Sequence, residues 1–275
     1  MQGFLLLSIY FIETLKTNIN MKKMKKMKKM DFAFISVLLI SVSFAFQSCL
    51  SDDDDNGFYP DSMPNALVTV KSLADKSFYL QLDDSTTLLP TNIKVSPFGT
   101  KEVRALVNYM TTNDNPGKYN KAVTINWIDS IRTKSTVPTM GTENDKLYGT
   151  DPLEIVNDWV TIAEDGYLTL RFRTYWGYEN KTHYINLLTG VNSSNPYEVE
   201  LRHNANGDSD GRIGDGLIAF NLKDLPDTNG KTVKLKINWK SYSGNKSAEF
   251  NYCTRKSSGT ATMSINNRSF VTSFK

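Results

Sequence analysis

The chain has only two cysteines, only two histidines and, beyond residue 48, no long apolar run. Two Cys exclude a disulfide-rich scaffold, the more so because Cys49 sits in an N-terminal signal. The missing apolar run excludes a multi-span helical membrane protein. A working excess of charge is missing as well. Lys+Arg number 32 against 29 Asp+Glu, a net +3, but residues 1–48 hold seven Lys and two acids, which leaves 25 bases against 27 acids for residues 49–275. The folded part is mildly acidic and has no basic stripe interleaved with aromatics. Nucleic acid is therefore not an expected partner. The roughly 210 residues left suit one or two ordinary domains.

What is present begins with an address. Met21 to Met30 is a Lys-rich stretch, and Phe32 to Phe46 is apolar apart from Ser, about the length of a signal-peptide core. Gln47, Ser48 and Cys49 follow. A small residue and then Cys behind an apolar core resembles a bacterial lipoprotein cleavage site, with Phe46 where Leu is usual. Cutting before Cys49 would leave that Cys carrying lipid; several acyl chains, at about 0.8 kcal/mol per buried CH₂, hold firmly. The plain alternative is an ordinary signal peptide with a chance Cys. A second apolar run, Phe4 to Ile12, lies ahead of the basic stretch, so translation is expected to start at Met21 or later, or else the n-region is long. Ser51 and the four carboxylates Asp52, Asp53, Asp54 and Asp55 come next. Like charges in a row read as a solvated tether. Just behind a lipidated Cys they also resemble the signal that exports lipoproteins of the Bacteroidetes to the outer face of the outer membrane.

From Ala66 on, apolar residues alternate with polar ones and turn residues punctuate them. The expected fold is all-β. Five strands (67–70, 78–82, 86–89, 103–109 and 122–131) suit a small OB-like five-stranded barrel. Seven more (159–163, 167–175, 182–188, 197–203, 216–222, 232–239 and 248–252) suit an immunoglobulin-like seven-stranded β-sandwich without its disulfide. The organisation read from the chain is a signal peptide over 1–48, an acidic tether over 49–65 and the barrel over 66–135. A linker over 136–152, the sandwich over 153–256 and a Ser-rich, poorly ordered tail over 257–275 complete it.

These pieces resemble the NigD-like family of Bacteroidetes lipoproteins, which join an N-terminal OB-type domain to a C-terminal β-sandwich. The residues that carry the resemblance are Asn65 to Lys71, Asp158 to Ile162, Tyr167 to Leu170, His183 to Leu187, Leu201 to Gly207 and Gly230 to Lys236. The resemblance implies a non-enzymatic envelope protein, with bacteriocin immunity suggested by the gene context that names the family. It implies no active-site residues and no cofactor.

Several constellations invite chemistry. Asn206, Asp208, Asp210 and Gly211 match the opening of a calcium loop, but Leu217 stands where the closing Glu belongs, and a polar hairpin explains the stretch. His183 and His203 each fall on the apolar alternation of a strand, which favours packed histidines over metal ligands or a general base. Glu198 and Glu200 share a solvent face and do not read as a glycosidase pair. Tyr175, Trp176 and Tyr178 end a strong strand at a turn. Aromatics there can stack on sugar or anchor a protein, or Trp176 can fold back over the sandwich end. Ser62, Ser85 and Ser130 sit in Asp-Ser-X triplets that resemble the Bacteroidetes O-glycosylation acceptor. The functional expectation is non-catalytic binding at the cell surface, with outer-membrane lipid as one partner through Cys49. The other partner is a protein, a toxin by family analogy, or alternatively a glycan.

Overall fold

A computed structural model of the chain describes residues 62–255 and 271–274. The signal, Cys49 and the Asp run at 52–55 lie outside the described residues. The strands β1 (Ala66–Ser72), β2 (Phe78–Gln81), β3 (Thr87–Pro90), β4 (Val103–Thr112) and β5 (Lys121–Ser130) close a barrel in the order β1-β2-β3-β5-β4. Alternation decides its inside. Val68, Val70, Leu80, Leu88, Val107 and Val123 are fully buried there. The sharp turn between β2 and β3 is fixed by Asp83, whose carboxylate accepts the N–H groups of Ser85 (2.8 Å) and Thr86 (2.7 Å). Those bonds pull the Asp83 pKa below its ordinary value although burial pushes it up.

The sandwich has two sheets. One runs β6 (Arg132–Ser135), β13 (Arg212–Asn221), β10 (Tyr167–Trp176) and β8 (Glu154–Val156), with β9 (Ile162–Glu164) also paired to β10. The other runs β16 (Val271–Phe274), β15 (Gly244–Tyr252), β14 (Val233–Ser241), β12 (Glu198–Asn204), β11 (Tyr184–Thr189) and β7 (Val137–Pro138). Leu168, Leu170, Phe172, Ile218 and Phe220 of the first sheet meet Leu187, Val199, Leu201, Leu235, Ile237 and Phe250 of the second. Among the described residues, no helix is long and apolar enough to cross a membrane.

The sandwich differs from the seven strands expected: among the described residues its two sheets have five and six, and the strand expected over 159–163 is a turn between β8 and β9, with only its end in β9. Residues 132–138, which read as the barrel's end and the start of a linker, join both sheets: β6 pairs in parallel with β13, and β7 with β11. The short helix α1 (Asn144–Tyr148) follows. In the Ser-rich tail, β16 adds an antiparallel edge to β15.

Barrel and sandwich share a core. Leu67 and Ile131 pack with Val160, Ile162 and Ala219, and with half-buried Leu106 and Leu217. Arg104 of β4 is fully buried in this junction. Its guanidinium donates to Thr69 Oγ1 (2.9 Å), Thr169 Oγ1 (3.3 Å) and Glu164 (3.2 Å). Around it, Lys71 and Arg255 pair with Asp165 (3.1 and 2.9 Å), and Asp84 accepts the Asp165 N–H.

Candidate functional site

The barrel covers only the first half of the outer face of β10. Tyr167 and Thr169 are buried beneath it, whereas Arg173 and Tyr175 stand in solvent. On this free half, Arg171 pairs with Asp158 (2.8 Å) and Asp215 (2.6 Å), and Arg173 also reaches Asp215. Beyond the ion pairs the surface turns apolar. Tyr175 lies beside Ile213 across the β10–β13 ladder, and its ring meets that of Tyr242 edge-on at 5.3 Å. All three are exposed, Ile213 at 58%. The Tyr242 hydroxyl is held by Thr174 Oγ1 (3.0 Å) and by the N–H of Tyr175 (3.2 Å), so the patch is fixed before anything binds. Sequence reasoning singled out Tyr175 but missed Ile213 and Tyr242. They lie 38 and 67 residues away: Ile213 joins Tyr175 through the β10–β13 pairing, and Tyr242 reaches it from the β14–β15 turn of the other sheet.

Trp176 turns the other way. Its ring stacks on His183 at 4.5 Å and its indole N–H donates to Gly214 O (3.1 Å). Tyr178 stands in solvent, 71% exposed, on the loop beyond. The three aromatics of one turn thus part into an outward Tyr175, an inward Trp176 and a loop-tip Tyr178.

Behind Trp176 the loops 177–183 and 204–211 are clasped. Asp208 is buried and its carboxylate accepts the N–H of Glu179 (3.0 Å) and of Lys181 (2.9 Å). Its carbonyl accepts the N–H of Gly177 (2.8 Å). The side chain of Asn206 donates to Thr182 O. Of the residues that matched a calcium loop, Asn206 and Asp208 are therefore spent on backbone, while Asp210 points outward. A Cβ at Gly177 would overlap the Asp208 carboxylate, and one at Gly211 would overlap the Trp176 carbonyl. Both positions need glycine for close approach.

The two histidines, 20 residues apart, meet here: His183 Nδ1 lies 3.0 Å from His203 Nε2. His203 is fully buried and His183 half-buried. Burial pulls the His203 pKa below the ordinary imidazole value. His203 lies with Val199 and Leu201 on the inward face of β12, whereas His183 lines a cleft of about 190 Å3 between the sheets. That cleft is bridged by Lys134, whose ammonium donates to Ile185 O (2.6 Å) and Asn186 Oδ1 (2.8 Å).

The remaining candidates stay apart. Glu198 holds Lys236, Asn192 and Asn238, while Glu200 pairs with Arg202. Ser62 and Ser130 are exposed, and Ser85 is half-buried against Asp83. Among the described residues no three His, Cys, Asp or Glu side chains converge as a metal site.

Two family models match the chain: a NigD-like N-terminal OB domain over residues 67–131 and a NigD-like C-terminal beta sandwich domain over residues 135–252. The chain belongs to the NigD-like family. Within solved structures, this NigD-like chain is similar to a protein from Parabacteroides distasonis described as toxin-related. The two are 37% identical, the match covers 69% of this chain and 92% of that one, and the TM-score is 0.59. A protein of unknown function from Bacteroides vulgatus shares the fold at 22% identity, with 68% and 89% of the chains covered and a TM-score of 0.54. A NigD-like immunity protein from Bacteroides caccae matches at 22% identity over 64% and 86% of the chains, with a TM-score of 0.48. No curated protein matches this chain.

Proposed function

We propose that this NigD-like protein is a non-catalytic lipoprotein, anchored in the outer membrane through Cys49 and facing outward, that captures a protein partner. The observation that carries the reading is the patch of Tyr175, Ile213 and Tyr242. Exposed tyrosines fixed by their neighbours bring large contact area at little entropic cost, and interface hot spots favour such residues. The ion-paired Arg171, Arg173 and Asp215 beside them supply a polar rim. A proteinaceous toxin is the partner class we favour, because a relative at 37% identity is described as toxin-related. The inward turn of Trp176 weakens a sugar-stacking reading of the same turn.

The test uses a deletion strain of the native host. It is complemented with the wild-type protein or with Tyr175→Ser, Ile213→Ser and Tyr242→Ser combined, then challenged with secreted proteins of competing strains. Protection by the wild type and its loss in the triple variant, at equal anchored abundance, is the expected result. Equal protection by both removes the patch from the function. Protease added to intact cells checks the address. Wild-type protein should be cleaved, whereas a variant with Asp52 to Asp55 as Ala should be protected until lysis.

A further inference from the structure

The histidine pair sits in a hydrogen-bond chain that can be counted. At one end His203 Nδ1 faces Pro152 O (3.3 Å), in the middle His203 Nε2 faces His183 Nδ1 (3.0 Å), and at the other end His183 Nε2 faces Asp208 O (2.9 Å). Both ends are carbonyl oxygens, which only accept. Each end therefore needs an N–H, and the middle contact needs one more. Three contacts require three protons, and two neutral imidazoles carry two. With two protons, one contact sets lone pair against lone pair. With four, two N–H groups collide in the middle.

We propose that His183 and His203 hold a third proton between them at neutral pH, as a singly charged pair, and that a fourth proton opens the clasp between loops 177–183 and 204–211. The charge belongs on His183. It is the more exposed ring, and the face of Trp176 at 4.5 Å favours a cation. His203 stays neutral, in keeping with its burial and with the downward pull of His183.

The surroundings are mixed in sign. His203 feels Asp151, whose charge favours protonation; Glu200 and Arg202 stand on the outward face of the same strand, where Asp145, Lys240 and Lys246 join them around a polar groove. Toward the cleft, His183 faces Arg132 and Lys134, which oppose a further proton. Behind its acceptor lies the Asp208 carboxylate, and the loop beyond carries the Glu179–Lys181 pair and Asp210. A metal ion in place of the middle proton would need other ligands, and no third His, Cys, Asp or Glu joins the pair among the described residues.

Linkage gives the sign. In acid below about 6.5, two unfolded imidazoles bind four protons and the folded pair three, so stability falls as pH falls, by about tenfold in the unfolding constant per pH unit. Above that point the unfolded rings bind two and the folded pair three, so stability falls again as pH rises through the upper step of the pair. The decisive experiment is ring-nitrogen NMR on the full chain at pH 7, with and without a chelator. Three ring N–H protons, two of them on His183, unchanged by chelator, are expected. Two N–H protons in total, or a pattern that shifts on chelation, overturns the proposal. As a second readout, the stability advantage of the wild type over His183→Gln should shrink as pH rises above about 6.5, where the folded pair keeps a proton that the unfolded rings lose. A constant difference between the two proteins across pH 5 to 8 would also overturn it.

Discussion

Arg104→Ala should cost about 3–5 kcal/mol of unfolding free energy, the range for removing one partner of a buried ion pair. Arg104 is fully buried, and its guanidinium serves Thr69 of the barrel as well as Thr169 and Glu164 of the sandwich. Burial pulls its pKa down, and the carboxylates of Glu164 and Asp165 pull it back. A guanidinium stays charged under such opposing pulls. Truncation leaves Glu164 buried without its cation and two hydroxyls without their donor. Lys at 104 should recover little, because one ammonium cannot span three acceptors held by a planar fork. The double variant Arg104→Met with Glu164→Leu should recover most of the loss, since an apolar pair avoids the desolvation of two charges. Urea unfolding measures all four proteins. A loss under about 1 kcal/mol for Arg104→Ala would show that the junction tolerates Glu164 without its cation.

Asp208→Ala should cost about 3 kcal/mol and should loosen one end of the sandwich before the rest. Hydrogen bonds to a charged group contribute about 1.5–3 kcal/mol each, and this carboxylate accepts two from backbone. No other described partner stands ready for the N–H groups of Glu179 and Lys181. Asp208→Asn keeps an acceptor oxygen for one of the two and should fall between. Gly177→Ala should resemble Asp208→Ala, because its Cβ would displace the same carboxylate. Hydrogen exchange gives the local readout: protection at Glu179 and Lys181 should vanish while that of the β10–β13 ladder persists. Protection retained at both amides would mean that the loops are held by something other than Asp208.

The strands of both domains were legible because one face of each is dry and the other wet. Leu168, Leu170 and Phe172 point inward as their spacing requires, and Val233 to Trp239 alternate against Lys234 to Lys240. What escaped was set by pairing rather than period. β6 and β7 are short edges in parallel ladders, and four residues such as Arg132 to Ser135 show no alternation to read. Thr169 sits on what looks like the solvent face of β10. It is buried because a second domain covers that half, which no local pattern announces. Asp208 shows why a motif can mislead. A carboxylate between Asn206 and Asp210 looks the same in sequence whether it faces a cation or two amide groups. The histidines were readable as packed residues one at a time. Their contact depends on the pairing of β11 with β12, which brings Ile185 opposite His203.

The passage from β5 into β6 through Ile131 has an evolutionary consequence. A linker allows modules to be exchanged by recombination at no structural cost. Here the crossover point is itself core, with Ile131 buried between Leu67 and Ile162. A chimaera that took its barrel from one ancestor and its sandwich from another would have to inherit Arg104 and Thr69 together with Glu164 and Thr169. Barrel and sandwich are therefore matched to each other at the junction, whereas the free half of β10 and β13 around Tyr175 can change without disturbing it.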